Sequence, residues 1–320
     1  MPDRSPLARL SVIVFVPVIV TVILIGTAAA ASLYPSRPID FIVPWGTGGG
    51  ADLVGRALAK EMEPILEVSL PVVNVPGGTG QTGLAKLGEG PADGYMIEEA
   101  TSETLLLPVT GHPLLELARF VPLGIIDQQN PGLLVGAASP FKDWNDLLNT
   151  ARKQSVSVAF DGFGSTGDLL LSYLNRHAST HFNLVPYAQP AERIASVLGG
   201  ENAVLFTQPG DVHAYIAGGQ LRPVLLFADR PDPQFPATPI SKTFGYPSLI
   251  HFRAMYVKAG TAPEIMRVLG TALDKAEHNS TYKSTLDDEG ALPASLIDAT
   301  QVGDFITTWQ KQAADIRDAR

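Results

Sequence analysis

The 320-residue chain is 45% hydrophobic and 17% charged, enough apolar material for one large or two ordinary domains with real cores. Its formal net charge of -9 argues against nucleic acid or an anionic lipid surface as a partner. There is no cysteine, which excludes disulfides, thiolate metal sites, a cysteine nucleophile and lipid attachment to an N-terminal cysteine.

Residues 1–31 differ from the rest. Arg4 and Arg9 precede an apolar run over 10–26, and Ala28, Ala29, Ala30 and Ala31 follow. A basic start, an apolar stretch and a small-residue cleavage site predict a secretory signal peptide, with an uncleaved N-terminal anchor as the alternative. Pro17 disfavours a straight spanning helix, and no later segment is apolar for long enough to cross a bilayer. Losing two arginines and one aspartate with 1–31 takes the charge from -9 to -10. The expected location is the periplasm.

Beyond the signal, strand-like and helix-like stretches alternate. A strand is predicted over 39–43 and a helix over 51–66, with Leu53, Ala57, Leu58 and Met62 on one face. A strand over 71–75, the turn PGGTGQTG, a short helix to 87 and a strand over 95–98 come next. Strands over 120–126 and 132–136 complete a first group. The pattern restarts with a helix over 144–153, a strand over 155–160, the turn DGFGSTG and a helix over 168–176. Strands over 182–186, 203–207 and 222–227 alternate with helices over 191–198 and 212–217. After the Pro-rich RPDPQFPATP come a strand over 252–257 and long helices over 262–279 and 301–317. Alternation of this type predicts largely parallel sheets covered by helices, in two α/β lobes divided near 128–132 and 245–250.

Two glycine turns carry the chemistry. PWGTGGGAD (44–52) contains the relaxed dinucleotide fingerprint G-x-G-x-x-G/A between a strand and a helix, and GFGSTG (162–167) repeats it. Each offers backbone N–H groups at a helix N-terminus, where the macrodipole favours negative charge. At the carboxyl edge of an α/β sheet, two such turns would place an anion between the lobes. A dinucleotide fits poorly. The second strand ends on Asn74 rather than an acid, Pro44 and Trp45 crowd the turn, and an exported protein meets little NAD. A serine hydrolase using Ser165 is the enzymatic alternative, although Phe163 stands where the nucleophile elbow needs glycine. His177 and His181 lack the glutamate of a zinc protease and read as turn residues. Ser165 and Thr166 also suit helix N-caps. Asp52 suits a cap too, and its charge would repel an anion unless held aside.

The blocks YPSRPIDFIVPWGTGGGADLVGRALAKEM, VVNVPGGTGQTGLAKL and PADGYMI, followed by GFGSTGDLL, VPYAQPAERIASVLGG, AGGQLRPVLLF and VKAGTAPEIMRVL, resemble the Bug (TctC-like) family of periplasmic solute receptors. These serve tripartite tricarboxylate transporters. The resemblance implies a two-lobed periplasmic binding protein fold of the type II α/β class, with a ligand cleft between the lobes. It assigns 32–130 plus 248–320 to the first lobe and 131–247 to the second. It implies a non-enzymatic, monomeric receptor without cofactor or metal, whose partners are a small organic anion and the membrane permease subunits. A sensing-only receptor feeding a signalling partner is a further alternative. The implied ligand contacts are the first turn with Trp45, Thr47, Gly48, Gly49, Gly50 and Asp52; Thr101 and Ser102 after the third strand; Gly164, Ser165 and Thr166 in the second turn; and Thr207 and Gln208. Two positions depart from the family pattern. Asp168 stands where histidine is common, and Gln189 closes Tyr187-Ala188-Gln189 where Tyr-Lys-Gly is common. Both are expected to touch, and to alter, the ligand.

Overall fold

A computed structural model describes residues 34–111, 116–292 and 296–319. The predicted signal segment lies outside the described residues. Tyr34–Arg320 forms one compact unit. It opens with β1 (Asp40–Val43), α1 (Gly50–Leu66), β2 (Val72–Asn74), α2 (Gln81–Glu89), β3 (Met96–Thr101), α3 (Ser102–Leu106) and β4 (Phe120–Gln129). Next come β5 (Gly132–Gly136), α4 (Trp144–Ala151), β6 (Val156–Phe160), α5 (Thr166–His177), β7 (Phe182–Pro186), α6 (Pro190–Leu198), β8 (Val204–Thr207), α7 (His213–Ala217) and β9 (Leu221–Leu226). The chain closes with β10 (His251–Lys258), α8 (Pro263–Glu277), α9 (Ser280–Asp288) and α10 (Val302–Asp318).

The strands make two five-stranded sheets, ordered β2-β1-β3-β10-β4 and β7-β6-β8-β5-β9. The expectation of largely parallel sheets needs correction, because both are mixed. β10 runs antiparallel to β3 and β4, and β5 antiparallel to β8 and β9. Each odd strand is the first one laid down after the chain passes from one sheet to the other. A strand entering that way is free of the over-the-top helical crossover that makes βαβ neighbours parallel. Because it runs backwards, β10 begins at the edge where β3 ends: Arg253 pairs with Thr101. Charged side chains at the start of β10 therefore sit at the carboxyl edge of the first sheet.

The buried stripe of α1 is Val54, Leu58 and Met62, spaced i, i+4, i+8 and packed with Phe41 and Val43 of β1. Leu53, expected on that face, is 42% exposed instead. It belongs to the neighbouring face in the first turn. A larger core continues through both sheets, from Ile42 and Ala100 to Leu133, Phe160 and Phe206, and includes Trp309 of α10. The helix predicted over 262–279 is two. The Asn279 side chain accepts from Thr281 N–H at 2.8 Å and caps α9, ending α8 before it. The short α3, which follows β3 without a loop, was not expected.

Candidate ligand-binding cleft

The two glycine turns are built alike. Gly48 (φ 79°) and Gly164 (φ 85°) sit in the left-handed region that glycine enters without strain. The N–H of each donates to an aspartate four residues on: Gly48 to Asp52 at 3.0 Å, Gly164 to Asp168 at 2.9 Å. Each aspartate lies in the first turn of its helix and clamps the turn that precedes it. Asp52 is also held by Arg56 and by Asn74 Nδ2, both at 2.9 Å. Burial works against the charged form, but the bonds from Arg56, Gly48 and Asn74 outweigh it and keep this carboxyl below the usual range. The condition set by the sequence, that Asp52 be held aside, is met. Asn74 therefore has a job here unrelated to ribose binding, since it also donates to the Trp45 carbonyl at 3.0 Å.

Around these turns a cleft encloses about 380 Å³, lined by Trp45, Gly49, Gly50, Ala51, Thr101, Glu103 and Asp161 together with Pro190, Arg193, Gln208, Asp211, His251 and Arg253. Both sheets contribute. Trp45, Thr101, Asp161 and Gln208 lie at or just beyond the carboxyl ends of β1, β3, β6 and β8, where open α/β sheets bind ligands. Trp45 Nε1 donates to Thr101 Oγ1 at 3.2 Å, fixing the indole against the strand end.

Of the expected site residues, Trp45, Gly49, Gly50, Thr101 and Gln208 line this cleft. Thr47 and Gly48 are exposed at the tip of the first turn. Ser102 is fully buried behind the cleft, its hydroxyl 3.0 Å from His251 Nδ1 and 3.1 Å from Glu103 Oε2. Ser165 is fully buried as well. Its hydroxyl donates to Asp161 at 2.8 Å and accepts the Asp168 N–H at 3.2 Å, so it caps α5. Thr166 is buried with no partner for its hydroxyl, and Thr207 Oγ1 accepts from Arg193 Nη2 at 3.3 Å. Gln189 reaches across to the first turn, where a Cβ on Gly46 would collide with its Oε1. Pro190 lies 2.9 Å from where a Cβ of Gly49 would stand. The second turn faces other first-sheet neighbours: Gly162 approaches Thr79, and Thr110 Oγ1 lies 3.4 Å from the Gly164 carbonyl.

Sequence reasoning missed the charged groups. Arg253 is 1% exposed and makes ion pairs with Asp127, with Glu99 at 3.5 Å and with Asp211 at 2.8 Å. Asp211 comes from the second sheet's side and reaches the amino end of α1, where a Cβ on Gly50 would strike it. Burial opposes charge on Arg253, yet Asp211, Asp127 and Glu99 push its pKa further up. Glu103 pairs with His251 at 3.1 Å; against the effect of burial, that partner and Ser102 hold its carboxyl low. Asp161 behaves oppositely. Burial and the nearby Glu103 raise it to about 6, despite Arg193 and Ser165. A signal existed for some of these residues: EE inside YMIEEAT, and His and Arg inside HFRAMYV, interrupt otherwise apolar strands with charge.

The model of the family described as tripartite tricarboxylate transporter family receptor matches residues 54–320. The chain belongs to this family. The chain is 27% identical to BugT of Bordetella pertussis over 304 residues, covering 89% of this chain and 91% of that protein. A TctC solute-binding protein from Polaromonas shares 27% identity with a TM-score of 0.66, covering 90% of this chain and all of that one. MatC from Rhodopseudomonas palustris, solved with bound malate, has a TM-score of 0.81 at 21% identity over 88% of this chain and 99% of its own. The last likeness shows the fold alone. The TctC family comprises periplasmic solute-binding receptors, and its fold is that of receptors rather than enzymes. Among the described residues no helix is long and apolar enough to cross a membrane.

Proposed function

We propose that this TctC-family chain is an extracytoplasmic receptor that binds a small organic carboxylate between its two lobes and delivers it to the permease subunits of a tripartite tricarboxylate-type transporter. The observation that carries the reading is the cleft itself: about 380 Å³, at the carboxyl ends of strands from both sheets, beside the amino end of α1. That size suits a metabolite of a few carbon atoms. The bound malate of MatC supports the carboxylate class. In this reading the anion takes donors from the main chain of Gly49, Gly50 and Ala51, from Thr101 and Gln208, and from Arg193, with 1–31 acting as the export signal. Bonds from such donors to a charged acceptor contribute about 1.5–3 kcal/mol each. Several of them offset an association cost of about 4–15 kcal/mol. No metal or cofactor is needed, and the protein carries out no reaction. The burial of Ser165 and the use of its hydroxyl as a helix cap argue against its service as a nucleophile.

A thermal-shift titration of the mature protein with malate, succinate, citrate and aromatic acids tests this. A saturable rise in Tm without turnover is expected; a ligand at a hundred times its Kd stabilises by about 2.7 kcal/mol. Turnover that disappears in Ser165→Ala would overturn the reading, as would a flat response to every carboxylate.

A further inference from the structure

The lining of the cleft is unlike a simple anion trap. Three carboxylates, Glu103, Asp161 and Asp211, face it together with the guanidiniums of Arg193 and Arg253 and the imidazole of His251. Arg253 is already shared with Glu99 and Asp127 behind the wall. A ligand carrying only negative charge would therefore enter a space whose own acids are incompletely neutralised. Glu103 and Asp161 reach the cavity from opposite sheets, and the elevated carboxyl of Asp161 reports that each feels the other. A cation placed between them would relieve that repulsion. On the other side, two donors are spare. Arg193 is 7% exposed and its Nε has no partner; His251 is 4% exposed and its Nε2 has none. Buried charged groups left unpaired are costly, and both of these residues line the cavity.

We propose that the ligand is a zwitterion, a small carboxylate that also carries a protonated nitrogen, with the nitrogen between Glu103 and Asp161 and the carboxylate on the Arg193 guanidinium. The assignment rests on the receptor reading above and narrows its ligand class. Glu103 keeps His251 and Ser102 as its own partners, so it supplies field rather than the main contact. Asp161 is bonded to Ser165 through Oδ1 and is only partly buried, which leaves it the principal acceptor.

Calorimetric titration of the full mature protein with matched pairs tests it: L-alanine against propionate, γ-aminobutyrate against butyrate, and L-glutamate against glutarate. The amino member of at least one pair is expected to bind 10-fold or more tightly than its deaminated partner. Asp161→Asn is expected to reduce that preference 10-fold or more while binding of the deaminated acid holds or improves. Equal or tighter binding of the deaminated acids would overturn the inference and leave the receptor reading intact, and the wild-type pairs alone decide this if the variant does not fold. A preference unchanged in Asp161→Asn would remove the nitrogen from its assigned place. If neither series binds, the receptor reading falls and takes this inference with it.

Discussion

At the scale of single residues, the protein spends its charges inward. Arg253 compensates Glu99, Asp127 and Asp211 in a nearly dry setting. Removing one member of such a network leaves the others uncompensated, typically at about 3–5 kcal/mol. Arg253→Met is therefore expected to lower Tm by about 10 °C, at roughly 2–4 °C per kcal/mol. Scanning calorimetry of the ligand-free protein measures it, and a drop of a degree or two would mean the cluster is already protonated. Glu277 and Glu289 give a pH prediction. Burial raises both to about 8, helped by Asp274 and Asp298 for Glu277 and by Asp211 for Glu289. A folded pKa above the unfolded one means that the native state holds the extra proton, so stability falls as pH climbs from the ordinary carboxylate range towards about 8. Glu103 and Asp52, with lowered pKa values, act the other way and lose their contribution only below that range. Tm is thus expected to be lower at about pH 8.5 than at about pH 5.5, with Glu277→Gln narrowing the gap; a wild-type Tm that rises over this window contradicts the assignment.

At the scale of elements, each glycine turn and the helix behind it act as one part. Its aspartate clamp sets the shape, and the approach of the opposite side sets which glycines are needed. Gly50 has to be small because Asp211 and Arg253 press on it. Gly50→Ala is expected to weaken carboxylate binding 10-fold or more while the melting of the protein changes little, since the helix itself gains from alanine. Titration of wild type and variant with the tightest carboxylate decides it, and unchanged affinity would take α1 out of the binding surface. In the second turn, Ser165→Ala removes the α5 cap and is expected to cost about 0.5–2 kcal/mol of stability. The strands show what a sequence hides. Periodicity located β10 within a residue at each end, yet direction leaves no trace in a pattern of apolar residues. His251 and Arg253 could therefore not be assigned to the carboxyl edge beforehand.

For the whole molecule, cross-cleft contacts keep the lobes together: Arg253 to Asp211 at 2.8 Å, Gln234 to the Asp287 carbonyl at 2.7 Å, and Gln189 over Gly46. Ligand binding can shift such an equilibrium only by its differential affinity for the closed form. Asp211→Asn weakens the charged latch and is expected to raise the open fraction of the ligand-free protein. Because the chain has no cysteine, a pair of introduced cysteines, one per lobe, can be labelled cleanly for energy transfer. Lower transfer in Asp211→Asn without ligand is the expected outcome, and identical transfer would deny the latch a role in closure.

By itself the sequence determined the alternation of strands and helices, the two glycine turns and the family, because these depend on local pattern: apolar periodicity, residues that tolerate positive φ, and blocks in a fixed order. It also placed Trp45, Gly49, Gly50, Thr101 and Gln208, which follow strand ends directly. Only the tertiary structure decided the charge of the cleft. Glu103, Asp161, Arg193, Asp211, His251 and Arg253 lie far apart along the chain and meet because two sheets exchange strands and close on each other. Whether a carboxylate repels a ligand or merely neutralises a neighbour depends on which residues stand within a few ångströms, and that distance is set by packing across the cleft rather than by spacing in sequence.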